Sequence, residues 1–368
     1  MSKHRKKIII AGGGTGGHLF PAIAIGEALE KDGIEVKYIG SKNGIEANGE
    51  FIENEKIELL DLRGFIRSWS IKGIVKNILL LTKIFKSYLQ VRRIIKNFKP
   101  DFIIGTGGYT CAIPLYLGIK NNIPTAIQEQ NVLPGMVTRK FADKVNIIFL
   151  SFEETKKYLN KDNYLLVGNP IRAMIKEIER TKASQDMNLD PKKKTILILG
   201  GSQGAKSINN HFIKEYKKYL DRDIQLLWQT GKNSRFELKE IDNVNIKKYE
   251  FIDRMDLAYS AVDIIVSRAG ATAISEILYL GKPSILIPYP HAADNHQELN
   301  AKALEEKGAS IIIHENKFND GDLEQAIFSI IDSNKKMKLY SDNSKLYSKR
   351  DSSILIKEKL KEIMLNAR

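Results

Sequence analysis

The chain has 368 residues, 43% of them hydrophobic and 28% charged, a balance that excludes a disordered polymer and gives enough length for two domains. One cysteine, Cys111, excludes a disulfide framework and any cysteine-based zinc site, and points to reducing cytosol. A net charge of +14, from 58 basic and 44 acidic residues, suits acidic partners such as nucleic acid, anionic lipid or phosphorylated substrates, or else marks a lysine-rich solvated surface.

The basic segment Met1–Lys7 is followed by a short apolar run ending in glycines, which does not read as a signal peptide. No run reaches the roughly 18 apolar residues a spanning helix needs. Lys7-Ile8-Ile9-Ile10-Ala11 reads as a strand buried on both faces, and Ala22, Ile25, Ala28 and Leu29 then recur at helical spacing. Further strands are predicted at Ile34–Gly40, Asp101–Gly105, Thr125–Gln128 and Lys144–Ile148, before turn chemistry at Leu165–Pro170. A second series follows at Thr195–Leu199, Ile224–Trp228, Val244–Ile246, Asp263–Val266, Ser284–Ile287 and Ser310–Ile313. Ser353–Met364 reads as a final helix that crosses back to the first half.

Strand–helix alternation at this spacing predicts parallel sheets with helices on both faces. The pattern Lys6–Gly13 is echoed by Lys193–Gly201, so the expectation is an α/β chain of two doubly wound, Rossmann-like domains facing across a cleft. Their expected bounds are 1–168, with a helix in 350–368 packing back on it, and 169–349.

Gly12-Gly13-Gly14-Thr15-Gly16-Gly17-His18 directly follows the first strand, where glycines let backbone N–H groups approach a phosphate at a helix N-terminus. The loop matches G-x-G-x-x-G, but the second strand ends Tyr38-Ile39-Gly40-Ser41-Lys42, without the acidic residue a dinucleotide site places there. Gly200-Gly201-Ser202-Gln203-Gly204-Ala205-Lys206-Ser207 is a second phosphate-binding candidate; Ala205 spoils an NTPase P-loop. Gly105-Thr106-Gly107-Gly108-Tyr109 is a third glycine cluster after a strand.

Arg268–Glu276 follows a strand and opens a helix, with Glu276 about a turn in, where a carboxylate can take a ribose diol or merely favour the helix dipole. Gln297, in the polar segment Pro288–Ala301, has an amide suited to sugar hydroxyls; the histidines and Asp294 there fit no standard metal spacing. Glu129-Gln130-Asn131 and Gly168-Asn169-Pro170-Ile171-Arg172 are polar strand ends, and Arg172 can pair with a phosphate or with a surface carboxylate. His18, at the edge of a phosphate loop, is a candidate general base. Asp221-Arg222-Asp223 is a literal D-x-D on the wrong sheet edge for a ligand and reads as a solvated turn.

Ile71, Ile74, Val75, Ile78, Leu79, Thr82 and Phe85 recur at helical spacing with Lys72, Lys76, Lys83 and Lys86 interleaved. The stripe either faces the core or rests on anionic lipid. Aromatics, at 8%, are scattered, so no nucleic-acid partner is expected.

Taken together, Gly12–His18, Gly105–Tyr109, Glu129–Asn131, Gly168–Arg172, Gly200–Ala205, Gln229–Lys232, Phe251-Ile252, Arg268–Glu276 and His296-Gln297 resemble, in order and over nearly the whole chain, the MurG family of bacterial peripheral membrane glycosyltransferases. The resemblance implies the GT-B fold. It implies inverting transfer of N-acetylglucosamine from UDP-N-acetylglucosamine to the C4 hydroxyl of an undecaprenyl-pyrophosphoryl-N-acetylmuramoyl-pentapeptide, converting lipid I to lipid II at the cytoplasmic face of the cell membrane. A UDP-N-acetylglucosamine 2-epimerase on the same fold is the alternative. No cofactor and no protein-bound divalent cation are expected; cell-wall synthesis proteins are further partner candidates.

By the same resemblance, the Ile252 backbone meets uracil and Glu276 the ribose. Ser202, Arg172, Ala271, Thr272 and Ala273 meet the diphosphate, and Gln297 the donor sugar. Thr15, Gly16, Gly17 and Asn131 close on sugar and diphosphate. Gly14, Gly108 and Tyr109 lie on the acceptor side, with His18 as base and Glu129 as runner-up. Ile74, Val75, Ile78, Leu79, Lys72 and Lys76 face the membrane. Gram-negative members often carry serine in place of Ala269 and glutamine in place of His296.

Overall fold

A computed structural model describes residues 5–49, 51–62, 71–201, 203–231 and 241–366, the side chains of 71–79 excepted. The chain divides into two compact units, Met1–Arg172 with Asp351–Arg368, and Ala173–Arg350.

The first unit runs β1 (Lys7–Gly12), α1 (Gly16–Glu30), β2 (Glu35–Ser41), β3 (Ile57–Leu60), α2 (Ile71–Phe98), β4 (Phe102–Gly107), α3 (Ala112–Lys120), β5 (Thr125–Glu129), α4 (Met136–Phe141), β6 (Ile147–Leu150) and β7 (Tyr164–Leu166). Among the described residues these strands form one sheet in the order β3-β2-β1-β4-β5-β6-β7, every pair parallel. The apolar run in β1 serves both faces. Ile8 and Ile10 pack with Leu19, Ala22, Ile25 and Leu29 of α1; Ile9 and Ala11 pack with Val91, Ile94 and Phe98 of α2 and Leu115 of α3. Continuous apolar sequence is what a strand covered on both sides requires.

The second unit runs α5 (Arg180–Asp186), β8 (Lys194–Leu199), α6 (Lys206–Leu220), β9 (Ile224–Gln229), β10 (Ile246–Tyr249), α7 (Met255–Ala261), β11 (Ile264–Ser267), α8 (Ala271–Tyr279), β12 (Ser284–Leu286), α9 (His296–Glu305), β13 (Ser310–Ile312), α10 (Asp322–Ile331) and α11 (Asn334–Tyr347). Its parallel sheet has the order β10-β9-β8-β11-β12-β13. Ile196 and Ile198 pack on Phe212 of α6 and Ile327 and Ile330 of α10, around the fully buried Trp228. The last helix, α12 (Ser352–Asn366), returns to the first unit: Ile356, Leu360 and Met364 join the cluster over α1, and the Ser352 hydroxyl donates to the Val167 carbonyl at 2.8 Å.

Both units are doubly wound parallel sheets, as expected. In each, strand order reverses beside the first strand, between β1 and β4 and between β8 and β11, which puts a ligand crevice beyond their carboxyl ends. Several bounds differ. The expected strand Lys144–Ile148 starts only at Ile147, because residues 141–145 turn and Asn146 Oδ1 accepts the Thr125 N–H at 2.8 Å. The strand expected at Val244–Ile246 starts at Ile246 and runs on to Tyr249, since Asn243 Oδ1 accepts the Asn245 N–H at 2.9 Å in a local turn. Two edge strands, β3 and β7, fall where no strand was expected, and β7 takes the start of the expected turn Leu165–Pro170.

Asp221–Asp223 is an exposed turn ahead of β9, with Asp223 paired to Lys193 at 2.6 Å and Arg222 to Asp332 at 2.6 Å. Beside the amino end of β11, the buried Asp263 accepts two 2.7 Å hydrogen bonds from Arg180 and one of 2.9 Å from the Thr195 N–H. In α2 the described side chains Leu80, Val91 and Ile94 face the core, while Leu81, Ile84, Phe85 and Leu89 are exposed, Leu81 and Phe85 by 66% and 63%. The described end of the stripe, Thr82 and Phe85, therefore faces solvent and not the core. The side chains of Lys72, Ile74, Val75, Lys76, Ile78 and Leu79 lie outside the described residues. No described helix is long and apolar enough to cross a membrane.

Candidate functional site

In the first unit the candidate site is built on the loops after β1, β4 and β5. The β1 loop enters α1 through Thr15, which is exposed and whose side chain does not cap its own helix. The loop is held from beneath by Glu46, a residue the sequence reading passed over. The Glu46 carboxylate is 1% exposed and accepts the N–H of Gly14 and, at 2.6 Å, that of Ser41. A Cβ on Gly13 would sit 2.1 Å from Glu46 Oε1, so glycine is what admits the carboxylate.

His18 projects from the first turn of α1 onto the β4 loop. Its Nδ1 lies 3.1 Å from the Thr106 carbonyl and 3.1 Å from Gln130 Oε1, and the Thr106 hydroxyl donates to the His18 carbonyl at 2.9 Å. Both Nδ1 neighbours are acceptors, so the hydrogen-bond network assigns the proton to Nδ1 and makes Nε2 the basic nitrogen. Gly107, at φ 102°, leaves room for the ring: a Cβ there would come within 2.4 Å of Nδ1. Gly108 (φ 75°) follows, and Tyr109 is 46% exposed beside it.

Glu129 ends β5 with its carboxylate 3% exposed. It accepts the Asn131 N–H at 3.1 Å, the Gly135 N–H at 3.0 Å and the Thr138 hydroxyl at 2.6 Å. Those bonds shape the loop that carries Asn131 into α4. The Arg172 guanidinium stacks 4.7 Å from the Phe20 ring, whose edge also meets Gly16. This brings Arg172 to the start of α1.

In the second unit the loops after β8, β9 and β10 are tied by Gln229. Its Nε2 donates to the Gly201 carbonyl at 3.2 Å and its Oε1 accepts the Ile252 N–H at 3.0 Å. The Ile252 N–H is therefore already used within the protein. Gly204 and Gly231 pack backbone to backbone, which any Cβ would prevent. Asn209 accepts from Trp228 Nε1 at 3.0 Å and donates to the Thr230 carbonyl at 2.9 Å, anchoring the same turn to the core. Ser202 lies outside the described residues.

Gly270 precedes α8, and Ala271, Thr272 and Ala273 form its first turn. Thr272 Oγ1 is buried with no hydrogen-bond partner. Glu276 is the sixth residue of α8, past the first turn, which weakens the helix-dipole reading. It is 2% exposed and Oε2 accepts from the Tyr259 hydroxyl at 3.0 Å. Arg268, which sequence reading gave no role of its own, donates to the Ile287 and Pro288 carbonyls at 3.2 and 3.3 Å and to the Ser207 hydroxyl at 3.0 Å, and pairs with Glu315. It thereby joins the loops after β8, β11, β12 and β13. Gln297 Oε1 accepts the Tyr289 N–H at 3.0 Å, and His296 Nδ1 lies 2.8 Å from the Ala293 carbonyl.

Each unit thus gathers glycine loops, helix starts and amides at the carboxyl end of its sheet, an arrangement suited to a phosphorylated sugar donor and a hydroxyl acceptor. Comparison with known proteins agrees. Residues 8–150 match the glycosyltransferase family 28 N-terminal domain and residues 195–357 the family 28 C-terminal domain. A UDP-N-acetylglucosamine–N-acetylmuramyl-(pentapeptide) pyrophosphoryl-undecaprenol N-acetylglucosamine transferase of Christiangramia forsetii is 36% identical over 99% of both chains. One of Desulforamulus reducens, with the same name, is 38% identical over 92% of this chain and 93% of its own. The crystal structure of Acinetobacter baumannii MurG is similar with a TM-score of 0.75 at 23% identity, covering 98% of this chain and all of that one, a likeness of fold.

Proposed function

The chain belongs to glycosyltransferase family 28, among the UDP-N-acetylglucosamine–N-acetylmuramyl-(pentapeptide) pyrophosphoryl-undecaprenol N-acetylglucosamine transferases, and on that premise we propose how its residues carry the transfer. N-acetylglucosamine moves from UDP to the C4 hydroxyl of undecaprenyl-pyrophosphoryl-N-acetylmuramoyl-pentapeptide, with inversion. The observation that carries this is similarity above one third identity along the full length of such transferases.

On the second unit, α8 presents the N–H groups of its first turn, Ala271, Thr272 and Ala273, to the diphosphate, with Ala271 and Ala273 small enough to let it approach. Ser202 supplies a further donor, and so does Arg172, the last residue of 1–172 in the first unit. Glu276, already held by Tyr259, takes the ribose, and Gln297 the donor sugar. With its N–H bound to Gln229, Ile252 meets the uracil through its carbonyl. On the first unit, Thr15, Gly16, Gly17 and Asn131 serve the donor sugar and diphosphate, and Gly14, Gly108 and Tyr109 the acceptor.

The acceptor oxygen attacks the anomeric carbon as the bond to the UDP oxygen breaks. UDP leaves with the electron pair, and the acceptor proton passes to His18 Nε2. The transition state carries oxocarbenium-like charge on the sugar and growing negative charge on UDP, which the helix start and Arg172 stabilise without a divalent cation. Glu129, engaged with donors of the following loop and of α4, holds that loop and leaves the base role to His18. Leu81, Ile84, Phe85 and Leu89, with the exposed Lys86, Arg92 and Arg93 on the same helix, rest on the anionic cytoplasmic face of the cell membrane, where the acceptor resides.

The test is transfer of labelled sugar from UDP-N-acetylglucosamine to lipid-linked muramoyl-pentapeptide, with and without chelator, beside incubation with the donor alone. Transfer that survives chelation is expected. No product refutes the assignment, chelator sensitivity refutes the metal-free chemistry, and conversion of the donor alone marks an epimerase. Turnover of His18→Ala near that of the unmodified chain, with donor affinity unchanged, removes His18 as base.

A further inference from the structure

Three buried amides stand in line behind His18. Gln130, 2% exposed, turns Oε1 to His18 Nδ1 at 3.1 Å and Nε2 to the Thr106 and Gln128 carbonyls at 2.7 and 3.0 Å and to Gln128 Oε1. Gln128, fully buried, turns Nε2 to the Ser151 hydroxyl at 3.2 Å and to Asn169 Oδ1 at 3.1 Å. Ser151 gives its own proton to the Glu129 carbonyl at 2.8 Å, so it can only accept from Gln128. The direction of every bond is therefore set. Reversing Gln130 would aim its oxygen at three acceptors; reversing Asn169 would set its NH2 against that of Gln128. The order has a cost: Asn169 Nδ2, at the far end, is buried with no partner.

We propose that Gln130 is a positioning residue for the transfer, holding His18 in the Nδ1–H tautomer, with Gln128 and Asn169 fixing which way the Gln130 amide points. The proposal rests on the reading of His18 as base, because only that role needs Nε2 unprotonated toward the acceptor. The Thr106 carbonyl favours the same tautomer, but it is shared with Gln130 Nε2. Gln130 Oε1 is the acceptor dedicated to the ring. Without Gln130 Oε1 the Nδ1–H loses the acceptor that it does not share with another donor, and the tautomer in which Nε2 carries the proton and cannot take another gains population.

The experiment uses the full-length chain labelled with 15N. Long-range 1H–15N spectra of the histidine rings report the tautomer directly, and His18→Gln assigns the His18 signals. In the unmodified chain His18 is expected as the Nδ1–H form. Gln130→Met, which removes the acceptor at similar volume, is expected to lower that fraction. It should also cut kcat by roughly tenfold or more, within the ~10²–10⁴ a general base supplies, while the donor KM changes little. If Gln130→Met does not fold, Gln130→Leu serves in its place: the same fall in the Nδ1–H fraction is expected, and an unchanged fraction overturns the proposal. An Nε2–H ring in the unmodified chain, an unchanged tautomer in Gln130→Met, or a changed tautomer with unchanged kcat each overturns the proposal. Failure of the base reading is seen separately, as full turnover in His18→Ala with the tautomer spectrum of the unmodified chain intact.

Discussion

The Glu46 carboxylate accepts the backbone N–H of Gly14 with both oxygens, at 2.9 and 3.1 Å. A buried charge thus carries the glycine loop that leads to His18, and the loop keeps its shape through a residue 32 positions away in sequence. Glu46→Ala leaves the Ser41 N–H buried without an acceptor and the loop without support. It is expected to cost about 2 kcal/mol and most of the turnover, read by urea unfolding and by the transfer assay. Full activity in Glu46→Ala would mean the loop sustains itself.

Gly107→Ala tests the seat of the His18 ring. The residue is at φ 102°, and the added carbon falls 2.4 Å from Nδ1, so strain and collision act together. The ring must move, and a shift of about 1 Å at a base costs roughly 10²-fold in rate. The expected result is a loss of kcat of that order with an unchanged far-ultraviolet circular dichroism spectrum. Turnover within about threefold of the unmodified chain would place the working ring elsewhere.

Asp263 makes the second unit sensitive to acid. Burial opposes its charge, but the Arg180 guanidinium, the Thr195 N–H and Lys194 outweigh that and hold the carboxyl below its usual range. A depressed folded pKa means stability that is fully present above the unfolded value of about 3.9 and is lost as pH falls through the lower folded value. Arg180→Gln is expected to cost on the order of 2 kcal/mol at pH 7, allowing for the 38% exposure of Arg180, and to flatten the acid limb. Urea midpoints from pH 7 to pH 3, followed by Trp228 fluorescence in a Trp69→Phe background, measure both. An acid limb as steep as that of the unmodified chain would assign the loss to other carboxylates.

The proposed lipid contact is the face of α2 that exposes Leu81, Ile84, Phe85 and Leu89. Leu81→Asp with Phe85→Asp exchanges two exposed apolar side chains for charge, each worth up to about 1.5–3 kcal/mol when buried in lipid. Sedimentation with anionic vesicles is expected to show at least about tenfold weaker binding, with transfer to a soluble acceptor analogue unchanged. Equal binding would locate the lipid contact on another face.

The strands that carry the site were readable because their chemistry is local. Four apolar residues in a row ending in glycine, as in Ile8–Ala11 and Ile196–Leu199, allow few alternatives, and β1 and β8 lie within a residue of where that pattern puts them. Edge strands were not: Ile57-Glu58-Leu59-Leu60 has no clean alternation, and Tyr164–Leu166 is too short to show a period. Functional residues divide the same way. His18, Thr272 and Glu276 sit in motifs after strands, and the fold puts His18 and Thr272 in the first turns of α1 and α8 and Glu276 just past the latter. Glu46 and Gln130 acquire meaning only from what they touch: the N–H groups of Gly14 and Ser41 in one case, an imidazole in the other. The Ile252 N–H was open to a base on sequence grounds, and only the fold reveals that Gln229 takes it.

The return of α12 to the first unit has a consequence for biosynthesis. Leu19, Ala22 and Ile25 of α1 share a cluster with Ile356, Leu360 and Met364, so this oily surface stays bare while more than three hundred residues are translated. The half made first on the ribosome is the half finished last. The later half, whose described elements all lie between its own first and last residues, can close while its elder neighbour still waits for its final helix.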